Sequence, residues 1–307
     1  EYKLTGDVQT AENIGQVTIT KDTTIDLNGH TLTISKANQC FVVESGTLTI
    51  MDSQAPDETV TTVDGGELYG NKASLENDTL TYYITESEAN DTGTTETLIK
   101  HEVPLANAGK ILCKEGSYQA IKVETDGTLE LKSGVLQGTG VKHIVYVEDG
   151  TLNMTGGYIV GGGSDDQPGG GIYVIGSAVN GTVNIQGGVV AANCGNFGGG
   201  IYVVGGELTI SGGAVTGNGV FNGHDDDGAG IYVNSGTLKL SGEGYVTNNS
   251  KSCDCADCPI DTNNTHGGGG IALANGSTME MTGGYVTGNY STLAGGGIYA
   301  GYYDGPG

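Results

Sequence analysis

The chain has 307 residues, 57 of them glycine, with no tryptophan, three phenylalanines and a formal net charge of −24. Every basic side chain other than histidine is a lysine; no arginine occurs. Such a field repels nucleic acid and anionic lipid, so neither is expected as a partner, while cations are attracted and an exposed surface stays soluble. No apolar run approaches the ~20 residues of a membrane span, so direct membrane insertion is not expected either. The opening EYKLTGDVQT carries no basic-then-apolar leader.

In chain order, the first legible elements are two alternating stretches, TTIDLNGHTLTIS (23–35) and GTLTI (46–50). Residues 51–110 then interrupt the pattern. Within them TLTYYITESEANDTGTTETLIKHEV (79–103) reads as two alternating strands around a polar turn, which predicts a β-hairpin protruding from the body. After KILCK, three motifs recur in fixed order. One is GGGI with an alternating strand: GGGIYVIG (169–176), GGGIYVVG (198–205), GAGIYVNS (228–235), GGGIALAN (268–275) and GGGIYAGY (295–302). A second is G-x-L-x-I: GTLEL (127–131), GTLNM (150–154), GTVNI (181–185), GELTI (206–210), GTLKL (236–240) and STMEM (277–281). The third is a GG-x-V strand that often ends in asparagine, as in GGVVAAN (187–193) and GGAVTGN (212–218).

Three short glycine-bounded strands per repeat describe a chain that turns three times per lap. Laps counted from Ile144 through Ile172, Ile201, Ile231, Ile271 and Ile298 bury a continuous core only when stacked. Alternation sends Ile and Val of GIYV inward and Tyr outward. Asn193, Asn218, Asn249 and Asn289 fall at one corner and predict an asparagine ladder. The fold expected is all-β, a right-handed parallel β-helix with a hairpin insertion, in one domain over 1–307. The last lap, AGGGIYAGYYDGPG, stops before its G-x-L-x-I strand, so the natural chain is expected to continue.

These repeats resemble the right-handed β-helices of the pectate-lyase-like superfamily. The GG[GA]I and V-x-x-N pairs are similar to repeats of chlamydial polymorphic membrane proteins. The opening LTGDVQT…TTIDLNGHTLTIS resembles β-helix modules of large secreted and wall-attached proteins of Gram-positive gut bacteria. The resemblance implies an extracellular, bacterial cell-surface location. Its members share a scaffold and differ in their sites, so it bears on fold more than on activity.

The laps lengthen mainly at one corner, where long loops on a rigid scaffold concentrate function. GSDDQPGGG, GVFNGHDDDGAG and the stretch SCDCADCPIDTNNTHGGGG are expected to form one acidic lobe over 162–168, 219–228 and 250–267. Asp165, Asp166, Asp225, Asp226 and Asp227 are its candidate Ca²⁺ ligands, because Ca²⁺ takes several oxygen donors. Cys253, Cys255, Cys258 and His266 are a weaker match for Zn²⁺, since their spacing is not that of a regular knuckle. Disulfides among Cys194, Cys253, Cys255 and Cys258 are the favoured alternative. Cys40 and Cys113 read as buried thiols.

The outward row Tyr146, Tyr173, Tyr202 and Tyr232 is the second candidate site. An aromatic stripe can hold sugar rings; it can also stack on itself and stiffen the sheet. The outward G-x-L-x-I row, Thr49, Glu130, Asn153, Asn184, Thr209, Lys239 and Glu280, brings no two carboxylates onto adjacent laps, as a glycosidase would need. The enzymes of the resembled superfamily act on polyanions with cationic subsites, and this chain has no arginine to supply them. The function expected is therefore a non-catalytic adhesin or stalk that binds a host or cell-surface glycan or glycoprotein. A glycoside hydrolase or lyase with its site in the acidic lobe is the alternative.

Overall fold

A computed structural model describes the chain except residues 11–15, 35–38, 65, 91–92, 115–118, 164–166, 177–180, 221–227, 252–266, 293–294 and 302–307. The described residues are all-β, and they form a parallel β-helix. Their one helical turn is a 3₁₀ segment, Leu105–Asn107. None of their helices is long and apolar enough to cross a membrane.

Three parallel ladders run the length of the coil. On the first face Val17, Phe41, Ile121, Val145, Ile172, Ile201, Ile231, Ile271 and Ile298 stack in register. Val145 pairs with Ile172, so the lap counted from Ile144 in the sequence begins one residue later. Ile144 precedes it in the same strand, where its N–H bonds the carbonyls of Gly170 and Gly171. On the second face Leu48, Leu129, Leu152, Val183, Leu208, Leu238 and Met279 stack. On the third, Leu32, Ile111, Leu136 and Ile159 continue into Val190, Val215, Val246 and Val286. The inward members of all three rows merge into one core, most of them fully buried. Cys113 is among them.

The GGGI motif has a mechanical explanation in the lap Gly198–Gly199–Gly200. Gly198 turns the chain at φ +55°, a conformation that L side chains rarely adopt. A Cβ on Gly199 would lie 1.7 Å from the Gly219 carbonyl oxygen of the next lap. A Cβ on Gly200 would lie 2.9 Å from the Asn218 amide nitrogen. The third glycine thus makes room for the asparagine ladder. There Asn193 Nδ2 donates to Asn218 Oδ1 at 3.1 Å, Asn218 to Asn249 at 3.0 Å and Asn249 to Asn289 at 3.0 Å. Each amide also donates to a strand carbonyl, as Asn218 does to Val190 at 2.9 Å. Buried polar groups must be partnered, and this ladder partners both the amides and the corner backbone.

Between the second-face strand ending at Met51 and the third-face strand Lys110–Cys113, the chain leaves the coil. Strands Thr59–Val63, Ser74–Glu76, Thr79–Asn90 and Gly93–Pro104 form a separate antiparallel sheet. Asp52 closes its neck: Oδ1 accepts from the Gly29 N–H at 2.7 Å and Oδ2 from the Gly109 N–H at 2.6 Å. The hairpin forms, but it does not protrude. It lies along the third face, where Leu80, Tyr82, Val103 and Leu105 bury against Val135, Val160, Val189 and Ala191. Farther along, Thr85 is buried among Thr247, Asn248 and Thr287, with hydrogen bonds to all three. The reason is visible in the outward positions of the third face. On the middle laps they include Val135, Val160, Val189 and Ala191, and bare valine there would leave an exposed apolar patch.

Candidate functional site

The tyrosine row is built by the first-face register, which places Lys122, Tyr146, Tyr173, Tyr202 and Tyr232 on successive laps. Ring centroids stand 5.2 Å apart for Tyr146–Tyr173, 5.2 Å for Tyr173–Tyr202 and 5.4 Å for Tyr202–Tyr232. The interplanar angles are 64°, 46° and 32°, so the rings interlock edge to face instead of forming one flat plate. Tyr146, Tyr173 and Tyr202 are half-buried. Tyr232 is 3% exposed, because Phe197 folds over it at 5.1 Å. Ala272 interrupts the row and Tyr299 resumes it.

Three neighbours were not singled out by the sequence pattern. His143 is buried beside the strip, 6.1 Å from the Tyr146 ring and 5.0 Å from Tyr173, with Nδ1 3.1 Å from the Gly169 carbonyl. Phe197 closes the far end. At the near end Lys122 Nζ sits 2.8 Å from Glu124 Oε1 and 2.6 Å from Glu148 Oε2. Phe197 lies at a corner, where the alternation rule gives no direction, and His143 opens the strand His143–Glu148, where alternation groups it with Val145 and not with the tyrosines. The lysine and its two carboxylates were legible only once the register put Glu124 and Glu148 on adjacent laps.

The electrostatics of the strip follow from burial. Desolvation, and then the nearby Glu148 charge, raise the Tyr146 pKa. Burial and then the neighbouring phenols push Tyr173 up to about 12. Both phenols therefore remain neutral hydrogen-bond donors at physiological pH. Burial disfavours the charged form of Lys122, but the hydrogen bonds it donates to Glu124 and Glu148 outweigh it and hold the pKa above the usual lysine value. The strip thus offers ring edges and neutral hydroxyls along the axis, with an ion triad at one end.

On the second face Asn153 bonds Glu130 at 2.7 Å and Asn184 bonds Asn153 at 2.9 Å. Lys239 pairs with Glu207 at 2.9 Å. This row is a self-satisfied polar ladder. Asp165, Asp166, Asp225, Asp226 and Asp227 lie outside the described residues, as do Cys253, Cys255, Cys258 and His266. Among the described residues no three His, Cys, Asp or Glu side chains are gathered to hold a metal ion. Cys194 heads a short ladder that pairs Cys194–Gly195 with Gly219–Val220. It makes no disulfide among the described residues, and burial raises its thiol pKa.

Comparison of the chain with family models, with curated proteins and with solved structures finds no match.

Proposed function

We propose that the chain is a non-catalytic, extracellular β-helical module of a bacterial cell-surface protein, an adhesin or stalk that binds a host or cell-surface glycan or glycoprotein. The observation that carries this reading is the tyrosine strip. Three half-exposed phenols stand in register on a face that no other described element covers. Neutral hydroxyls and aromatic edges at the strand spacing suit the alternating hydroxyl and C–H surfaces of a sugar chain. The repeats quoted above, which resemble those of surface-protein β-helices, and the net charge of −24 support the same reading. Within it, the acidic lobe is a Ca²⁺ site that would brace the corner next to the strip, with Zn²⁺ the weaker fit.

A second reading, a polysaccharide-processing hydrolase or lyase, draws on the same acidic lobe. It gains from Lys122, whose ammonium holds two carboxylates at the end of an aromatic strip. One experiment separates the two. The intact chain is applied to a glycan array, and each bound polysaccharide is incubated with it and assayed for new reducing ends and unsaturated products. Binding without turnover, weakened at least tenfold by Tyr173→Ala, is the expected result. Turnover abolished by Asp225→Asn, Asp226→Asn and Asp227→Asn together would establish the enzyme instead.

A further inference from the structure

The docked insertion creates a groove that the tyrosine strip does not share. Along the outward row of the third face, Tyr158, Val189, Ala214, Tyr245 and Tyr285 follow one another by register. Between Tyr158 and Tyr245, two small residues leave a slot three strand spacings long, about 14 Å. Tyr245 is backed by Tyr285, stacked at 4.6 Å and 15°. The insertion forms the opposite wall with Glu58, Tyr82 and Ile84. Gly156, Gly157, Gly188 and Gly213 form a floor without side chains, and the whole groove encloses about 430 Å³. That volume lies in the range of small-molecule sites.

Its polar equipment is one-sided. Glu58 and Glu243 are the charged residues that line it. Glu58 Oε1 accepts from the Tyr82 hydroxyl at 2.6 Å and lies 2.9 Å from His101 Nδ1, whose ring stacks on Tyr82 at 4.5 Å. Both contacts fall on Oε1, so Oε2 keeps its acceptor capacity among the described residues. The His101 hydrogen bond comes first among the influences that lower the Glu58 pKa; burial opposes it, and the Tyr82 hydrogen bond adds to it. A carboxylate fixed by two partners on one oxygen, at the mouth of an aromatic slot, is a preoriented acceptor for hydroxyl donors.

We propose that this groove, walled by Tyr158, Tyr245 and the insertion's Glu58 and Tyr82, is a second saccharide site, specific for a short neutral pyranose oligosaccharide. Tyrosine faces pack against the C–H surface of a pyranose ring and the two carboxylates accept from its hydroxyls. The same carboxylates repel uronic and sialic acids, since among the described residues no lysine lines the groove. The proposal rests on the reading of the chain as a glycan-binding module, and it adds a site on the third face, whereas the tyrosine strip lies on the first.

Saturation-transfer NMR on the intact chain tests it, with cellotriose and N,N′-diacetylchitobiose as neutral probes and trigalacturonate as the anionic one. The expected result is transfer to a neutral probe and none to trigalacturonate. Ala214→Leu, which fills the slot, removes the signal; Tyr245→Ala weakens it at least tenfold; Tyr173→Ala leaves it in place. Should Ala214→Leu fail to fold, Tyr245→Ala and Glu58→Gln carry the test. Transfer to neither neutral probe overturns the proposal, as does transfer to trigalacturonate or a neutral-probe signal unchanged in the groove variants. A signal lost in Tyr173→Ala but kept in the groove variants overturns the groove and leaves the tyrosine strip standing. Loss in the groove variants alone upholds the groove for these short probes and leaves the strip to the glycan-array test of Tyr173→Ala.

Discussion

The first and third faces of this coil are built from the same repeat and end in opposite conditions. On the third face the outward residues of the middle laps include Val135, Val160, Val189 and Ala191, and the insertion covers them. On the first face the equivalent positions carry Tyr146, Tyr173 and Tyr202, and no other described element covers them. The inward rows already fill the one core, so an outward apolar residue is buried only where another part of the chain covers it. The outward row of each face therefore states whether that face is dressed or bare. Tyrosine tolerates both, because its ring packs and its hydroxyl stays wet.

The largest way to break the contrast is to charge the dressed face. Val103, on the insertion's inner side, is fully buried against that face. Val103→Asp places an unpaired carboxylate there and should cost about 4 kcal/mol or more of docking free energy. Hydrogen exchange should then show protection lost across 59–104 and kept in the laps from 143 to 287. Loss throughout would mean that the insertion and the coil form one cooperative unit.

Next in size is the corner beneath both faces. Asn218 receives two hydrogen bonds from Asn193 on Oδ1 and donates to Val190 and Asn249. Asn218→Ala orphans buried groups on both neighbouring laps and should lower stability by about 3 kcal/mol, read from urea denaturation. The same substitution at Asn289, which closes the ladder, removes fewer partners and should cost less.

A smaller effect concerns the edge of the docked sheet. Glu58 has a folded pKa below its ordinary value. Its contribution is therefore fully present above the unfolded carboxyl pKa of about 4.3 and is lost as pH falls through the lower folded value. Glu58→Gln should cost about 1 kcal/mol at neutral pH. It should also flatten the fall in Tm between about pH 5 and pH 3. A wild-type slope retained in the variant would assign the acid sensitivity elsewhere, with Asp26, whose pKa burial raises but Lys3 and backbone donors bring down on balance, as the next group to test.

The smallest effect on stability is expected where the effect on binding is greatest. Tyr173→Ala removes one half-exposed ring between two others and should change stability by less than about 1 kcal/mol. A much larger loss would mark the strip as a stiffening ladder.

Much of this architecture was legible in the glycines and asparagines. GGGI and the terminal asparagine of the third strand are coupled by contact, since Gly171, Gly200, Gly230 and Gly270 each face an asparagine amide where a Cβ would sit. That coupling makes the repeat readable and the lap register with it. The hairpin was readable from its alternation, but its docking was not, because pairing within a hairpin says nothing about what its outer face meets. The apolar outward residues Val160 and Val189 were the available signal. Of the strip, the four tyrosines were legible from alternation, while Phe197 was not, because corners have no fixed side-chain direction, nor was His143, which alternation groups with Val145. The burial of Tyr232 follows from Phe197 and was equally hidden.

The central claim is that the tyrosine strip is a binding surface. Its most direct test is ring-labelled tyrosine NMR on the intact chain, titrated with a glycan selected from the array and assigned with single Tyr→Phe variants. The account predicts shifts confined to Tyr146, Tyr173 and Tyr202 on the first face, with the buried Tyr232 ring moving less. Saturable glycan binding that leaves those three ring signals unmoved would contradict it.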